Sequence, residues 1–175
     1  MEKLKEYLDY FTQRFSEYPT RIIEDADQSA EFQILNPQLG KNIIITIDLD
    51  ISELSVYFSY QHRHFREDQL TDLEKFVLSI LDSDEIVMEI FNGDKDSFGG
   101  STPSENLDLS SVEGIINSLF SHEAARKQYF ELFKTSKYRL ETRNWDGSMD
   151  YSIALIWDGS NYITVNNISS DRQKN

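Results

Sequence analysis

Hydrophobic residues recur at helical spacing in some segments and alternate in others, and the order of these segments limits the fold. Spacings of three and four predict helices over residues 4–15, 68–81, 110–120 and 122–133. Alternating or continuous apolar runs predict strands over residues 31–35, 42–48, 52–60, 85–91, 138–145, 149–157 and 162–168. Helices and strands do not alternate regularly, which disfavours a doubly wound parallel sheet. The order predicts an α+β fold with a mainly antiparallel sheet, helices packed on one face and a C-terminal β-meander.

The segments between these elements carry turn and capping signals. A polar loop is expected over residues 93–109, followed by Ser110-Ser111-Val112-Glu113, which matches a capping box. The sequence leaves open whether residues 110–133 form two helices or one bent helix. Two copies of Trp-Asp-Gly-Ser, beginning at Trp145 and Trp157, predict hairpin turns between the last three strands.

Length and composition predict one domain over residues 1–175, with residues 169–175 as a frayed tail. The chain has no cysteine, which excludes a disulfide framework, a thiolate nucleophile and a cysteine zinc site. Its start alternates charged and apolar residues, unlike a signal peptide, and no apolar run is long enough to span a bilayer. These features predict a cytoplasmic protein that does not bind membranes.

Charge is the most unusual global feature. The chain has 31 acidic and 17 basic residues and a net charge of −14, which disfavours nucleic-acid binding. A basic protein partner would be attracted, and we expect it to contact acidic residues on loops and helix edges. The residues chosen on this basis are Glu67, Asp68, Asp94, Asp96 and Glu105. The alternative is that the charge only keeps the protein soluble.

The pair His62 and His64 suggests a second kind of site. If the strand over residues 52–60 continues, both imidazoles lie on the face of Phe58 and Tyr60, about 6.6 Å apart at their Cα atoms. Two imidazoles on one face can bind a metal, but zinc needs three or four ligands and the third histidine, His122, is distant in sequence. The alternative to a small metal-dependent enzyme is a polar strand end.

A calcium-loop pattern is incomplete. Asp94, Asp96, Gly99 and Glu105 match the first, third, sixth and twelfth positions, but Phe98 stands where an oxygen ligand is needed. Phosphate-loop, dinucleotide and nucleophile-elbow motifs are absent, so no cofactor and no catalytic residue is predicted. A non-enzymatic role is therefore favoured over an enzyme.

The two tryptophans near predicted turns allow a third role. Trp145 and Trp157 are expected to act as lids over the sheet edge, because large aromatics are usually buried. The alternatives are a binding anchor, or a structural role in which the paired hairpins pack against a second copy of the chain.

The stretch VYFSYQHRHF over residues 56–65, followed by an acidic helix, a strand and Phe98-Gly99-Gly100, resembles a group of small acidic bacterial proteins of unknown function. Several of them are suspected immunity proteins that neutralise a toxin. The resemblance covers about the middle third of the chain and carries no catalytic motif. It implies a cytoplasmic protein-binding domain, in particular an immunity-type inhibitor that occludes a basic partner.

Overall fold

Alternating and helical segments of the sequence fold into ten strands and four α-helices in the described part of a computed structural model. The structure describes residues 2–26, 28–59, 61–92, 95–134, 137–157 and 162–167. They fall into two compact units, residues 1–81 and residues 82–175. Each unit has one five-stranded sheet, and every strand pairing is antiparallel. The predicted α+β class is confirmed, with two sheets where the sequence suggested one.

In the first unit, five consecutive strands follow one helix in the chain and precede another. Helix α1 spans Glu2–Arg14 and helix α2 spans Leu70–Leu81. The strands lie side by side in chain order: β1 Thr20–Ala26, β2 Ser29–Asn36, β3 Lys41–Asp48, β4 Glu53–Phe58 and β5 Gln61–Arg66. Consecutive strands pair because each connection is short enough to form a hairpin.

The core of the first unit lies between the helices and one face of this sheet. The rings of Phe11 and Phe15 on α1 lie 5.7 and 6.3 Å from the ring of Phe32 on β2. Phe76 on α2 lies 6.0 Å from Phe65 on β5. Phe11 and Phe32 have no exposed surface, so both helices pack on the same face of the sheet and leave the other face outward.

The second unit contains helices α3 Val112–Leu119 and α4 Glu123–Phe133. Its sheet has the order β10-β9-β8-β6-β7, formed by β6 Glu85–Asn92, β7 Lys95–Pro103, β8 Tyr138–Arg143, β9 Tyr151–Trp157 and β10 Tyr162–Asn167. The predicted C-terminal meander is therefore present. Its core combines inward residues of three strands and both helices, namely Ile86, Met88, Ile90, Val112, Ile115, Ile116, Phe133, Tyr138, Leu140, Ile153 and Leu155.

Three strands, β1, β5 and β7, were not predicted as separate strands. Strand β1 was missed because it is an edge strand with charged residues and mostly exposed side chains. Strand β7 replaces most of the expected polar loop, because Lys95–Pro103 pairs antiparallel with β6, with Ile86 opposite Thr102 and Glu85 opposite Pro103. Polar strands at sheet edges lack the apolar alternation by which strands are recognised.

Residues 110–133 form two helices. The cap of α3 is Ser111, whose hydroxyl accepts a hydrogen bond from the backbone N–H of Gly114, one residue later than the predicted capping box. Phe120 and His122 are extended and separate α3 from α4. Within the described residues, no helix has the length and apolar content needed to cross a membrane.

Candidate functional site

A tight hairpin joins β4 and β5 and determines where the histidines point. Phe58 pairs with Gln61, so the chain reverses between these two residues, with Ser59 in the left-handed region at φ 55°. The strand predicted over residues 52–60 is present as β4 and ends at Phe58, so the continuation on which the expected position of His62 and His64 depended does not occur. Ser-Tyr carries no Asn-Gly or Asp-Gly signal, so this turn was not recognisable from its residues.

Because the chain reverses, His62 and His64 lie on the opposite face from the one predicted. His62 pairs with Tyr57 and His64 pairs with Ser55, and these side chains point outward. Phe58 belongs to the buried face and is 3% exposed. The two histidines do share a face, as predicted, but their neighbours come from β4, through pairing that the sequence order does not reveal.

The outward face of this hairpin carries a ladder of three rings. The Tyr57 ring stacks on the His62 ring with centroids 5.3 Å apart and planes 21° apart. The His62 ring meets the His64 ring edge-on, with centroids 4.8 Å apart. All three side chains are exposed, and that of Tyr57 is 36% exposed. An exposed aromatic and imidazole surface of this kind provides contact area with little loss of side-chain entropy on binding.

Glu53 and Ser55 hold the His64 ring from one side. The Nδ1 atom of His64 lies 2.7 Å from Oε1 of Glu53 and 2.8 Å from Oγ of Ser55, and the Ser55 hydroxyl donates to Glu53 at 2.9 Å. These hydrogen bonds from His64 and Ser55 lower the pKa of the Glu53 carboxyl. An ionised carboxylate can only accept, so Nδ1 of His64 carries the proton.

Serine, histidine and glutamate in contact do not form a catalytic triad here. In a triad the serine contacts one imidazole nitrogen and the acid contacts the other, so that the ring can take the serine proton. Ser55 and Glu53 both contact Nδ1 of His64, and Ser55 is 3% exposed. The arrangement positions the imidazole and does not activate the serine.

One end of the first sheet gathers carboxylates next to this face. The β1–β2 and β3–β4 turns lie together, with the Leu49 N–H donating to the Gln28 carbonyl at 3.0 Å, and Asp48 pairs with Glu53 in the ladder. The group, called here the acidic end, consists of Glu24, Asp25, Asp48, Asp50 and Glu53. Its members come from three strands and one turn, so their proximity was not predictable from their positions in the chain.

Two of the predicted partner-binding residues follow β5 at this same end. Glu67 begins a 3-10 turn, Glu67–Gln69, and its carboxylate lies 2.5 Å from Nζ of Lys3 on α1. Asp68 is 75% exposed and lies 3.6 Å from Nε of Arg66. Glu67 is therefore partly neutralised, whereas Asp68 offers an exposed carboxylate beside one arginine.

The other three predicted residues belong to the second unit. Asp94 lies outside the described residues. Asp96 lies in β7 at the position paired with Phe91, and Glu105 is exposed in a second 3-10 turn, Ser104–Asn106. The backbone from residue 95 to residue 103 is an extended strand, which differs from the loop that wraps a calcium ion, so the calcium alternative has no structural support.

Negative charge is shared equally by the two units. Residues 1–81 contain 15 acidic and 8 basic residues, and residues 82–175 contain 16 acidic and 9 basic residues, a surplus of seven in each. The overall charge balance therefore does not distinguish the two units. The acidic end of the first sheet is a local cluster of carboxylates, formed where the β1–β2 and β3–β4 turns lie together.

A second group of charged residues, which the sequence analysis did not predict, lies on one face of the second sheet. Glu141 on β8 is 7% exposed and forms ion pairs at 3.0 Å with both Arg139 and Arg143. Glu89 on β6 pairs directly with Glu141 in the ladder and is 6% exposed. Residues 139, 141 and 143 alternate along β8, and this spacing could have predicted that their side chains share a face. The two arginines offset the cost of burying the Glu141 carboxylate.

Metal ligation by a larger cluster is not found in the described part of the chain. There, no group of three or more histidine, aspartate and glutamate side chains is placed to hold a metal ion. Trp145 is 8% exposed, which suits the predicted lid better than a binding anchor. The side chain of Trp157 lies outside the described residues.

Comparison of the chain with protein-family models, with curated proteins and with solved structures found no match. The fold alone therefore defines the class of protein. Its described residues form an α+β chain with two antiparallel five-stranded sheets. The resemblance to small acidic bacterial proteins stays a prediction.

Proposed function

We propose that this chain is a non-enzymatic protein-binding domain that takes a basic segment of a partner on the first unit. The binding surface combines the Tyr57–His62–His64 ladder with the acidic end beside it. The observation that supports this most directly is the contact of Glu53 with His64 at 2.7 Å, because it joins the acidic end, to which Glu53 belongs, to the ladder. Contiguous aromatic contact area and negative charge suit a segment rich in lysine and arginine.

The two parts of the surface have different tasks. Carboxylates at the acidic end accelerate encounter with a positively charged segment, and salt weakens this effect because the charges are exposed. The Tyr57 and His62 rings form a stacked pair on which an arginine or an aromatic side chain of the partner packs. An immunity-type inhibitor that occludes a basic groove is the particular form that the sequence resemblance implies.

The test separates these tasks with a synthetic lysine- and arginine-rich peptide as the probe. Stopped-flow fluorescence measures the rates of peptide association and dissociation at low and at physiological salt. The variant Asp25→Lys/Asp50→Lys is expected to slow association about tenfold at low salt and less at higher salt. Its matched control, Asp9→Lys/Glu17→Lys, makes the same charge change at exposed positions of the first unit away from the acidic end. We expect the control to slow association much less.

The ladder is tested by Tyr57→Ala/His62→Ala, which should raise the dissociation rate about tenfold and leave association nearly unchanged. A third charge reversal, Asp94→Lys/Asp96→Lys, addresses the residues chosen from the sequence in the second unit. If that variant alone slows association, or if both matched pairs slow it equally, the binding surface is not the one proposed.

A further inference from the structure

We propose that His62 and His64 form an exposed two-imidazole site for a divalent transition-metal ion, with water or a partner side chain completing its coordination. This inference rests on the geometry of the β4–β5 hairpin and does not require the proposed protein partner. It differs from a structural or three-ligand zinc centre, for which the described residues supply no third ligand.

The separation of the two rings fits a shared ion. Imidazole nitrogens bind zinc at about 2.1 Å, so two rings on one tetrahedral ion have centroids about 5 Å apart. The observed distance between the His62 and His64 centroids is 4.8 Å. Positions two apart on one strand place both rings on the same face without any rearrangement of the backbone.

Glu53 prepares His64 for this role. Its carboxylate accepts a hydrogen bond from the Nδ1–H group, and in the tautomer with the proton on Nδ1 the lone pair that can bind a metal is on Nε2. A carboxylate behind a histidine is the usual arrangement around metal-ligating imidazoles, because it fixes the tautomer and raises the basicity of the ligating nitrogen. Glu53 therefore acts as a positioning residue and also adds negative charge near the cation.

His62 is oriented by a different contact. Stacking on Tyr57, with planes 21° apart, restricts the plane of the His62 ring and lowers the entropy lost when the ring binds an ion. The ladder thus holds both imidazoles in defined orientations, one through a hydrogen bond and the other through stacking.

The donor set indicates which ions bind. Imidazole suits zinc, copper and nickel, whereas magnesium and calcium prefer oxygen ligands. Affinity for divalent ions rises from nickel to copper and falls again at zinc, so copper is expected to bind more tightly than zinc. With only two protein ligands the site is expected to be weaker than a four-ligand structural site.

The experiment is isothermal titration of the full chain, without a histidine tag, with zinc, copper and magnesium salts. Zinc and copper should bind with one ion per chain, and magnesium should not compete. His62→Ala and His64→Ala should each weaken zinc binding at least about tenfold. His122→Ala removes the third, exposed histidine and is the matched control, for which no change is expected.

Two further measurements make the proposal specific. Electron paramagnetic resonance of the copper-loaded chain should show two nitrogen ligands, falling to one in His64→Ala. Glu53→Gln should weaken zinc binding about tenfold while both nitrogens remain. Zinc binding that survives both histidine substitutions, or that is lost equally in His122→Ala, overturns the site. Unchanged affinity in Glu53→Gln overturns the positioning role.

Failure of the metal site can be distinguished from failure of the proposed function. The basic-peptide measurements are made in the presence of a chelator, so a chain that binds the peptide but no zinc retains the first proposal and loses the second. Circular dichroism of each variant confirms that the fold is intact before binding is interpreted.

Discussion

Individual polar side chains organise the loop between β8 and β9. Asn144 is 1% exposed, and its amide donates to Asp146 and Ser148 while its carbonyl accepts from the Met149 N–H. The Asp-Gly signal correctly indicated a turn, since Gly147 has φ 80°. The loop is longer than a two-residue hairpin because Thr142 pairs with Tyr151.

The carboxylate of Asp146 makes this loop sensitive to acid. The Ser148 backbone N–H, then its hydroxyl and the amide of Asn144, lower the pKa of Asp146. A lowered folded-state pKa contributes stability above the ordinary pKa of about 3.9, and this stability is lost as pH falls through the folded value. Asp146→Asn should therefore destabilise the chain at neutral pH, by less than about 1 kcal/mol because the group is exposed.

The measurement is urea unfolding of both proteins at neutral pH and near pH 3. The difference in unfolding free energy should shrink toward zero at the lower pH. A difference that stays constant across this range would show that the charge of Asp146 is not its cause.

At the level of elements, α3 shows how packing can reverse a helix propensity. Replacing a helical glycine with alanine normally stabilises a helix by up to about 1 kcal/mol. At Gly114, however, an added Cβ would lie 2.4 Å from the Asp108 carboxyl and 2.8 Å from its carbonyl oxygen. The glycine is required by this close approach of the preceding loop to the helix.

Gly114→Ala is therefore expected to destabilise the chain by about 1–3 kcal/mol, the usual cost of overpacking. Asn117→Ala, at an exposed position of the same helix, is the control and should be neutral or slightly stabilising. Thermal unfolding of the two variants gives the comparison. A melting temperature above wild type for Gly114→Ala would mean that the loop moves aside at little cost.

The elements also show which parts of the fold were predictable. Helix α1 was recognised because its buried face repeats at helical spacing, and strand β3 because it is a continuous run of β-branched residues. Strands β1 and β7 were not, because a sheet edge needs no apolar alternation. The β4–β5 turn was missed because Ser59 adopts a positive φ that serine rarely takes.

At the scale of the molecule, the two units raise the question of cooperativity. The prediction of a single domain over residues 1–175 requires that both units unfold together. The protein offers a direct reporter, since both tryptophans, Trp145 and Trp157, belong to the second unit. Phe32 is fully buried in the first unit, and its replacement by alanine should cost about 3–5 kcal/mol.

If the chain unfolds as one domain, Phe32→Ala should shift the tryptophan fluorescence transition to lower urea, together with the transition seen by circular dichroism. Tyr57→Ala, at an exposed position of the same unit, should leave both transitions nearly unchanged. If Phe32→Ala does not shift the urea midpoint of the fluorescence transition, and circular dichroism shows a second transition, the two units are independently folding domains.

The sequence by itself determined the α+β class, the helical segments, the central strands and the acidic balance, but not the division of residues 110–133 into two helices. These properties depend on local periodicity and composition, which each segment carries within itself. The tertiary structure alone decided which carboxylates meet at the acidic end and that Glu53 holds His64. Both depend on pairing between strands, and pairing is set by turn geometry and by burial of the opposite face, which no single segment contains.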